Sequence, residues 1–513
     1  MPFASSHPLL KTARTNKQQS TCAWRTTRMT RLKKTALLTM MISSLTLTGC
    51  LSGGGGGGDE QVRDQQKRIN DDFFVVDEAQ LPFTALADIA PYNTTSRWSG
   101  VLDGAGYRIE VPENWNGMLV MWAHGYRGTG SSLTVDSPPM RQYLIDNGYA
   151  WAASSYSTNY YDVRAGVEDT NALALAFTDI AADNGRTLAT PVKYYIAGAS
   201  MGGHITAAAV ERETKETANN VVDYAAAAPF CGVLGDTELF NYFAGYNLSL
   251  FELAGVGAEK FPIPEADAAT KLAAARALFW NDYDADKSAA GLTAEGLAVY
   301  QTLKNLSGGE RPTYQFSFGL FQDLLQSFAG SDGTVDGIFL KSVINTTGLT
   351  YRFESELGEP LTTNEINFNA AILQADANVD AVNALRKDGL RWVPKVNGEF
   401  DVPVLTAHTI GDLFVPVSME QIYRERAEDN GNGELLVQRA MRAPGHCDFT
   451  LTEWTETLDA LLTWEQTSVK PGGDDWLTPE TVADPLFGCT YTNNTGEIPG
   501  NFPRSFLPSC TPD

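Results

Sequence analysis

The chain has 513 residues, of which 43% are hydrophobic and 19% are charged, a composition typical of a globular protein with a large core or two domains. Its formal net charge is −24, and because residues 1–50 carry eight basic side chains and no acidic ones, the remainder carries −32. This acidity argues against binding to the phosphate backbone of nucleic acids and against charge-driven binding to anionic lipid.

Residues 1–50 are typical of an export leader. Residues 31–34 (RLKK) are basic, and the apolar stretch that follows them, residues 36–48, has the length of a signal-peptide core. Met29 would give a signal of ordinary length, so a start at Met29 rather than at residue 1 is one hypothesis. Beyond the leader, no apolar run in the sequence is long enough to predict a membrane span.

The leader ends in residues 47–50 (LTGC), which resemble a bacterial lipobox. The resemblance implies that Cys50 is lipidated and becomes the new N-terminus; the alternative is an ordinary cleaved signal with a chance cysteine. Residues 51–72 begin Leu-Ser followed by six glycines and are predicted to form a flexible tether. Position 51 is Leu rather than Asp, which resembles lipoproteins that are sorted to the outer membrane. We therefore expect a lipid-anchored protein of the cell envelope, with the outer membrane favoured, or a secreted protein.

Strand-like and helical segments alternate over the first part of the folded body, residues 73–228. The strand-like segments are short and apolar, and they lie at residues 118–123 (MLVMWA), 148–154 (GYAWAAS), 192–197 (VKYYIA) and 221–227. Helical spacing is found at residues 171–182 and 201–213. Such alternation predicts βαβ units and a parallel sheet.

The alternation stops at residue 229 and resumes at residue 398. The intervening segment, 229–397, has few strand-like runs and is expected to be a mainly helical insertion, with helical candidates at 265–281, 293–306 and 364–386. Residues 398–470 complete the sheet domain, with strand-like residues at 402–407 (VPVLTA) and 434–441 (ELLVQRAM) and a helix at 449–467. Residues 471–513 are rich in Gly, Pro, Asp and Asn and are expected to be irregular.

Residues 198–202 (GASMG) match the pattern Gly-x-Ser-x-Gly directly after the strand at 192–197 and directly before a helix. In such an elbow the serine is held on a strained turn and its hydroxyl projects from the sheet. Glycines are needed there because neighbouring chains approach closely, and the helix N-terminus places N–H groups near developing negative charge. We therefore predict Ser200 as a nucleophile. The alternative is a glycine-rich turn without a catalytic role.

A serine nucleophile needs a base to take its proton, and the chain has five histidines: His7, His124, His204, His408 and His446. His7 belongs to the leader and His124 precedes the serine. The elbow helix should carry His204 along the sheet rather than above the hydroxyl, and His408 lies before the acid candidate. His446 follows the strand at 434–441 and is the predicted base; its alternative is a surface loop histidine.

The acid of such a site should follow the strand at 402–407. Asp412 lies five residues after this strand, in a loop that reads Asp-x-x-Val-Pro, and its carboxylate would orient the imidazole and stabilise it when protonated. Asp401 is the competitor, but it precedes the strand and so lies at the wrong end of the sheet. The alternative for Asp412 is a residue that caps a turn.

Two backbone N–H groups are expected to bind the oxyanion. One belongs to Met201, directly after the nucleophile. The other is expected from the loop after the strand at 118–123, where His124 is followed by glycine. This loop resembles a His-Gly oxyanion loop, in which the next residue donates, and that residue is Tyr126. His124 then either buttresses the loop or is a satisfied core histidine.

These features occur in the required order, each at the C-terminal end of a strand, where open parallel sheets bind ligands. Over residues 98–228 and 398–467 the chain resembles the α/β-hydrolase superfamily. The resemblance implies an α/β fold with a mostly parallel central sheet flanked by helices, with residues 229–397 as a large cap. It also implies a serine esterase, here of the secreted bacterial lipoprotein type.

Six cysteines are present, two of them in residues 1–50. The remaining four are Cys231, Cys447, Cys489 and Cys510. An even number in an oxidising compartment predicts two disulfides with three possible pairings. Of these we favour Cys489–Cys510, as a staple of the tail, and Cys231–Cys447. The sequence has no CxxC pair and no Cys/His cluster with zinc spacing, so we expect neither a metal nor a cofactor.

The pair His446-Cys447 resembles tannases and feruloyl esterases, in which a cysteine directly after the catalytic histidine is bonded to one directly before the serine. Residue 199 is Ala, so half of that pattern is missing, and Cys231 is the residue that could replace the partner. Because of this departure, membership of that family stays open, and so does the aromatic substrate that membership would imply.

The expected activity is hydrolysis of a carboxylic ester through an acyl-enzyme on Ser200. The substrate would be a small-molecule or polymeric ester that is lipid-like, aromatic or derived from a polyester. Two alternatives are a serine peptidase of the aminopeptidase type on the same fold, and a surface binding protein that kept the fold without the chemistry.

Overall fold

The computed structural model describes residues 72–494, 504–508 and 510. The predicted leader with His7, the predicted lipidation site Cys50 and the predicted tether up to residue 71 lie outside these residues. Within the part of the chain that the structure describes, no helix is both long and apolar enough to cross a bilayer.

An eight-stranded sheet lies at the centre of the fold. Its strands are β1 (Ser96–Leu102), β2 (Ala105–Val111), β3 (Met118–Ala123), β4 (Ala150–Ser154), β5 (Lys193–Ala199), β6 (Tyr224–Phe230), β7 (Val404–Thr409) and β8 (Leu436–Met441). Their spatial order is β1-β2-β4-β3-β5-β6-β7-β8. Strand β2 is antiparallel to both neighbours, and all other neighbouring pairs are parallel. This order is that of the α/β-hydrolase fold, so the predicted fold class is confirmed.

Several strands of the central sheet are buried on both faces. Every residue of β4, β7 and β8 is buried, and strands covered on both sides do not show the alternation of a half-exposed strand. Strand β6 carries four consecutive alanines, residues 225–228. Their small side chains allow the helix that follows β5 to pack closely against this strand. A separate pair of two-residue strands, Val75–Val76 and Ser132–Leu133, is parallel.

The helices connect and cover these strands. They are α1 (Arg141–Asp146), α2 (Val163–Asp183), α3 (Met201–Val210), α4 (Arg212–Thr217), α5 (Glu238–Leu253), α6 (Glu265–Phe279), α7 (Gly296–Leu306), α8 (Tyr314–Ser317), α9 (Gln322–Ser327), α10 (Thr363–Ala371), α11 (Val379–Val382), α12 (Ser418–Asp429), α13 (Leu451–Thr467) and α14 (Pro479–Val482). Short 3₁₀ turns lie at Glu78–Gln80, Ala289–Gly291, Phe318–Phe321, Gly433–Leu435 and Arg504–Phe506.

Two hydrophobic cores lie on opposite faces of the sheet. Helices α2, α3 and α12 share one core with the cap helices α5, α6 and α7. Helices α1 and α13 form the other core. Helix α3 is buried along its whole length, as expected of a helix that is apolar on all sides. The sheet thus holds the N-terminus of α3 in place from both β5 and β6.

Residues between β6 and β7, all of them described, contribute seven α-helices and no strand of the central sheet. The helix predicted over residues 364–386 is wrong as a single element. Helix α10 ends where Ile372 takes an extended conformation, with φ −60° and ψ 137°. Asn378 then caps the short helix α11 by accepting the N–H of Ala381 at 3.1 Å.

The helix predicted over residues 201–213 is also interrupted, because Glu211 is extended and separates α3 from α4. Its buried carboxylate accepts the N–H groups of Gly398 at 2.9 Å and Glu399 at 2.8 Å, so a long-range contact overrides local helical spacing. The tail contains helix α14 within a segment expected to be irregular.

Candidate active site

Ser200 occupies a sharp turn between β5 and α3. Its φ of 60° and ψ of −121° lie outside the regions that a residue with a side chain normally adopts. The Ser200 N–H donates to the carbonyl of Phe230, at the end of β6, over 3.0 Å. Such strain persists only where the surroundings enforce it, and here the flanking strand and helix do so.

The two glycines of the motif are required by close backbone contacts. A Cβ on Gly202 would lie 2.0 Å from the carbonyl oxygen of Ala123, and a Cβ on Gly198 would lie 2.4 Å from the carbonyl oxygen of Gly202. Because neither contact could be relieved by moving a flexible side chain, the start of α3 can approach β3 only with glycine at these positions.

The structure brings the three predicted residues together. His446 Nε2 lies 2.8 Å from Ser200 Oγ, and His446 Nδ1 lies 2.5 Å from Asp412 Oδ2. An ionised carboxylate only accepts, so Nδ1 carries the proton and Nε2 is free to accept the serine proton. The arrangement can therefore convert the Ser200 hydroxyl into a nucleophile.

Asp412 is completely buried and held by backbone groups. Its Oδ1 accepts the N–H of Phe414 at 2.9 Å and that of Val415 at 3.0 Å, which leaves Oδ2 for His446. The competitor Asp401 has a side chain that is 78% exposed and forms an ion pair with Lys215. The acid loop, and not the residue before β7, thus supplies the carboxylate beside the histidine.

The loop that carries His446 is fixed by several contacts. The Thr409 hydroxyl donates to the carbonyl of Gly445 at 2.8 Å, and the cap residue Ser317 donates to the carbonyl of Pro444 at 3.0 Å. A disulfide joins Cys447, directly after the histidine, to Cys231, directly after β6. This disulfide ties the histidine loop to the end of the strand that also binds the Ser200 N–H.

The second disulfide joins Cys489 to Cys510 in the tail, so both favoured pairings are present. Among the residues that the structure describes, no group of three or more His, Cys, Asp or Glu side chains is arranged to hold a metal ion.

Two of the other described histidines, His124 and His204, are satisfied by neighbouring groups. His124 contacts the carbonyls of Gly125 at 2.7 Å and Ser155 at 3.1 Å, and burial lowers its pKa to about 4. It lies below the predicted oxyanion loop and stacks on a tyrosine ring. His204 Nε2 donates to the carbonyl of Pro394 at 2.8 Å, so its Nδ1 accepts the Tyr161 hydroxyl at 2.9 Å.

The loop after β3 passes beside the nucleophile. A Cβ on Gly125 would lie 3.1 Å from Ser200 Cβ and 3.6 Å from Ser200 Oγ. Tyr126 follows directly, and its hydroxyl donates to the carboxylate of Asp336 in the cap. Met201 is the first residue of α3. The placement of the loop suits backbone donation to an oxyanion, and the roles of Tyr126 and Met201 as donors stay predictions.

A cavity of about 400 Å³ opens beside Ser200. Most of its lining is apolar, and it includes seven aromatic side chains: Tyr126, Tyr161, Phe240, Phe243, Phe261, Phe328 and Phe414. Phe243 of α5 stacks on Phe328 with ring centroids 4.2 Å apart. Phe414 packs edge-on against the His446 ring, with centroids 5.2 Å apart. The cavity therefore offers an apolar, largely aromatic surface next to Ser200.

Sequence reasoning missed the aromatic cap residues of this lining, Phe240, Phe243, Phe261 and Phe328. A signal was present, because residues 239–251 (LFNYFAGYNLSLF) form an unusually aromatic helix. Aromatic residues at helical spacing are more often core than binding site, however, and nothing local says which of them face a cavity.

Comparison with known proteins gives distant similarities. No family model matches the chain. The o-phthalyl amidase of Xanthobacter agilis is 23% identical over 445 residues, which cover 77% of this chain and 90% of that protein.

Among solved structures, feruloyl esterase B from Aspergillus oryzae covers 74% of this chain and 82% of its own, with 13% identity and a TM-score of 0.37. The rice cell wall degrading esterase LipA from Xanthomonas oryzae covers 71% of this chain and 86% of its own, with 12% identity and a TM-score of 0.32.

Proposed function

We propose that the protein is a serine hydrolase that cleaves carboxylic esters, with Ser200 as nucleophile, His446 as base and Asp412 as the residue that orients the base. One observation carries this proposal: the unbroken hydrogen-bond chain from Ser200 Oγ through both nitrogens of His446 to Asp412, beside an apolar cavity. The amidase named among the relatives and the α/β-hydrolase fold support a hydrolase.

The proposed reaction has two halves. Ser200 Oγ attacks the ester carbonyl carbon while His446 Nε2 takes its proton, and the oxyanion accepts N–H bonds from Met201 and Tyr126. Collapse breaks the bond to the alcohol, which leaves with the proton from His446. Water then attacks the acyl-enzyme, His446 takes a proton from this water, and the acid departs as Ser200 regains its hydrogen.

The cavity supports a substrate with an aromatic or other compact apolar group. A volume of about 400 Å³ falls in the range of small-molecule sites, and its aromatic walls offer edge and face contacts to a planar ring. Much of the lining comes from residues 229–397, which we propose to act as the cap over the core formed by residues 73–228 and 398–470. We favour aromatic esters over long-chain lipids because the cavity holds only a compact group.

A second candidate function is amide hydrolysis, which the o-phthalyl amidase similarity favours. Both reactions would use the same nucleophile and base, and they differ in the leaving group that His446 must protonate. A serine peptidase of the aminopeptidase type would also cleave an amide bond, so it is included in this second candidate function.

A matched panel separates these candidates. We expect p-nitrophenyl esters of acetate, butyrate, benzoate and cinnamate to be cleaved, and benzoate or cinnamate to give the higher kcat/KM. The p-nitroanilides of the same acids test the amidase. Faster turnover of the anilides would replace the esterase proposal, and Ser200→Ala, assayed on both series, controls for contaminating hydrolases.

We also propose that the protein works outside the cytoplasm, anchored through lipid on Cys50. The two disulfides support an oxidising location. Incorporation of a labelled fatty acid into the wild-type chain, and its loss in Cys50→Ala, would be the expected result. Equal labelling of both chains would contradict the anchor.

A further inference from the structure

A buried histidine, His408, lies beside Asp412. His408 is on β7 and Glu420 is on α12, and both side chains are completely buried. His408 Nδ1 faces Glu420 Oε1 at 3.3 Å. The ester chemistry proposed above gives neither residue a role, so an ionisable pair in the protein interior is left to be explained.

The remaining polar atoms of the pair have fixed partners. His408 Nε2 lies 2.8 Å from the carbonyl oxygen of Val415, which can only accept, so Nε2 carries a proton. Glu420 Oε2 accepts the Thr406 hydroxyl at 2.7 Å and the Gln438 amide at 2.5 Å. His408 Nδ1 and Glu420 Oε1 are the two atoms of the pair that have no hydrogen-bond partner.

These two atoms must therefore share a proton. Without one, two lone pairs would face each other at 3.3 Å in a buried site, an arrangement that costs the desolvation of both groups with no hydrogen bond in return. With a shared proton, the pair consists either of an imidazolium on His408 and a carboxylate on Glu420, or of a neutral imidazole and a carboxylic acid. Burial lowers the pKa of His408, but Glu420 and Asp412 outweigh it and the pKa is raised, which favours the imidazolium.

The pair also points towards the proposed active site. His408 Nε2 lies 3.8 Å from Asp412 Oδ2, the same oxygen that contacts His446. Asp412 therefore lies between two imidazoles, that of His446 and that of His408. Tyr423 and Arg424 of α12 also interact electrostatically with Glu420, and Tyr242 of α5 does so with Asp412.

We propose that His408 and Glu420 are positioning residues that act through Asp412 and set the pH range in which the proposed site is active. This inference rests on the proposed function. A positive His408 offsets part of the negative charge that Asp412 presents to the active-site histidine. Removing the positive charge should therefore shift the acid limb of the activity profile to higher pH.

Glu420→Gln in the full chain tests this directly. The new amide can donate to His408 Nδ1, which keeps the packing but leaves His408 neutral. In the pH profile of kcat/KM for a p-nitrophenyl ester, we expect the acid limb to move up by about 0.5 pH unit or more. His408→Gln should move it in the same direction. Glu425→Gln, which removes an exposed charge from the same helix, should leave it in place.

A spectroscopic measurement separates this inference from the proposed function. In ¹⁵N-histidine NMR of the wild-type full chain near pH 7, His408 should show two protonated ring nitrogens, with His408→Gln identifying the signal. A neutral His408, or acid limbs in folded Glu420→Gln and His408→Gln that coincide with wild type, would overturn the inference. Absence of hydrolysis would refute the proposed function, while the NMR result would still decide the state of His408.

Discussion

Replacing Asp412 by Asn tests the orientation of the base, and the structure determines what the new amide must do. The backbone N–H groups of Phe414 and Val415 both donate to Asp412 Oδ1. Because these donors require an oxygen, the amide oxygen of the variant should take that position and its NH₂ group should face His446. The reverse orientation would place NH₂ against two N–H groups.

The amide then imposes the wrong tautomer on His446. Its NH₂ group donates to Nδ1, so the imidazole proton moves to Nε2, which can no longer accept the proton of Ser200. The loss of a correctly held tautomer costs a serine hydrolase about 10⁴-fold in kcat, which corresponds to about 5.4 kcal/mol of transition-state stabilisation. KM should change little, because Asp412 is buried and lies outside the cavity lining.

The assay is kcat on a p-nitrophenyl ester, with thermal unfolding as a check on the fold. Asp401→Asn is the matched control, since that carboxylate precedes β7, is exposed and is paired with Lys215. This variant should retain wild-type kcat. A folded Asp412→Asn variant that keeps more than about a tenth of wild-type kcat would refute the reasoning.

Three further predictions concern the geometry around the site. Replacing both Cys231 and Cys447 by Ser removes a disulfide between residues 216 positions apart; it should destabilise the protein by about 5 kcal/mol on the chain-entropy model and lower kcat/KM at least tenfold. The same replacement of the tail pair, which is 21 positions apart, should cost about 3 kcal/mol and leave kcat unchanged. Equal kcat losses in the two variants would contradict the link between the first disulfide and His446. Gly202→Ala should abolish soluble expression or activity because its Cβ would lie 2.0 Å from a backbone oxygen, and a normal variant would be inconsistent with the elbow. Phe243→Ala should raise KM for an aromatic ester about tenfold and KM for an acetate ester less, as measured by steady-state kinetics.

The proposed site was accessible to sequence reasoning because its signals are local. Ser200 lies between an apolar strand and a helix, and the geometry of that turn forces glycine at two neighbouring positions. The position of His446 follows from a short inventory of histidines. Asp412 follows from chain order and from the strand before it. Each prediction needed only a few adjacent residues and the rule that such groups collect at the carboxyl ends of parallel strands.

The edge hairpin β1–β2 was also readable but was overlooked. Asp103 and Gly104 connect its strands with φ values of 48° and 86°, and an Asp-Gly pair between two strands is a strong hairpin signal. The antiparallel edge of the sheet follows from this turn.

The contacts within the cap and the buried pair were not accessible in this way. Phe243 and Phe328 meet in the cavity although they are 85 positions apart in the sequence. Glu420 reaches His408 only because α12 packs against the sheet. Helical spacing over residues 364–386 was misleading for the same reason, since tertiary contacts and a cap at Asn378 decide where those helices end.

The most direct test of the central claim is labelling with a fluorophosphonate probe, followed by peptide mass spectrometry and an ester assay on the same sample. We predict a single adduct on Ser200, with hydrolysis lost in proportion to labelling, and no adduct in Ser200→Ala. Hydrolysis that persists after Ser200 is fully labelled, or a folded wild-type chain whose Ser200 is never labelled, would contradict the assignment of Ser200 as the nucleophile.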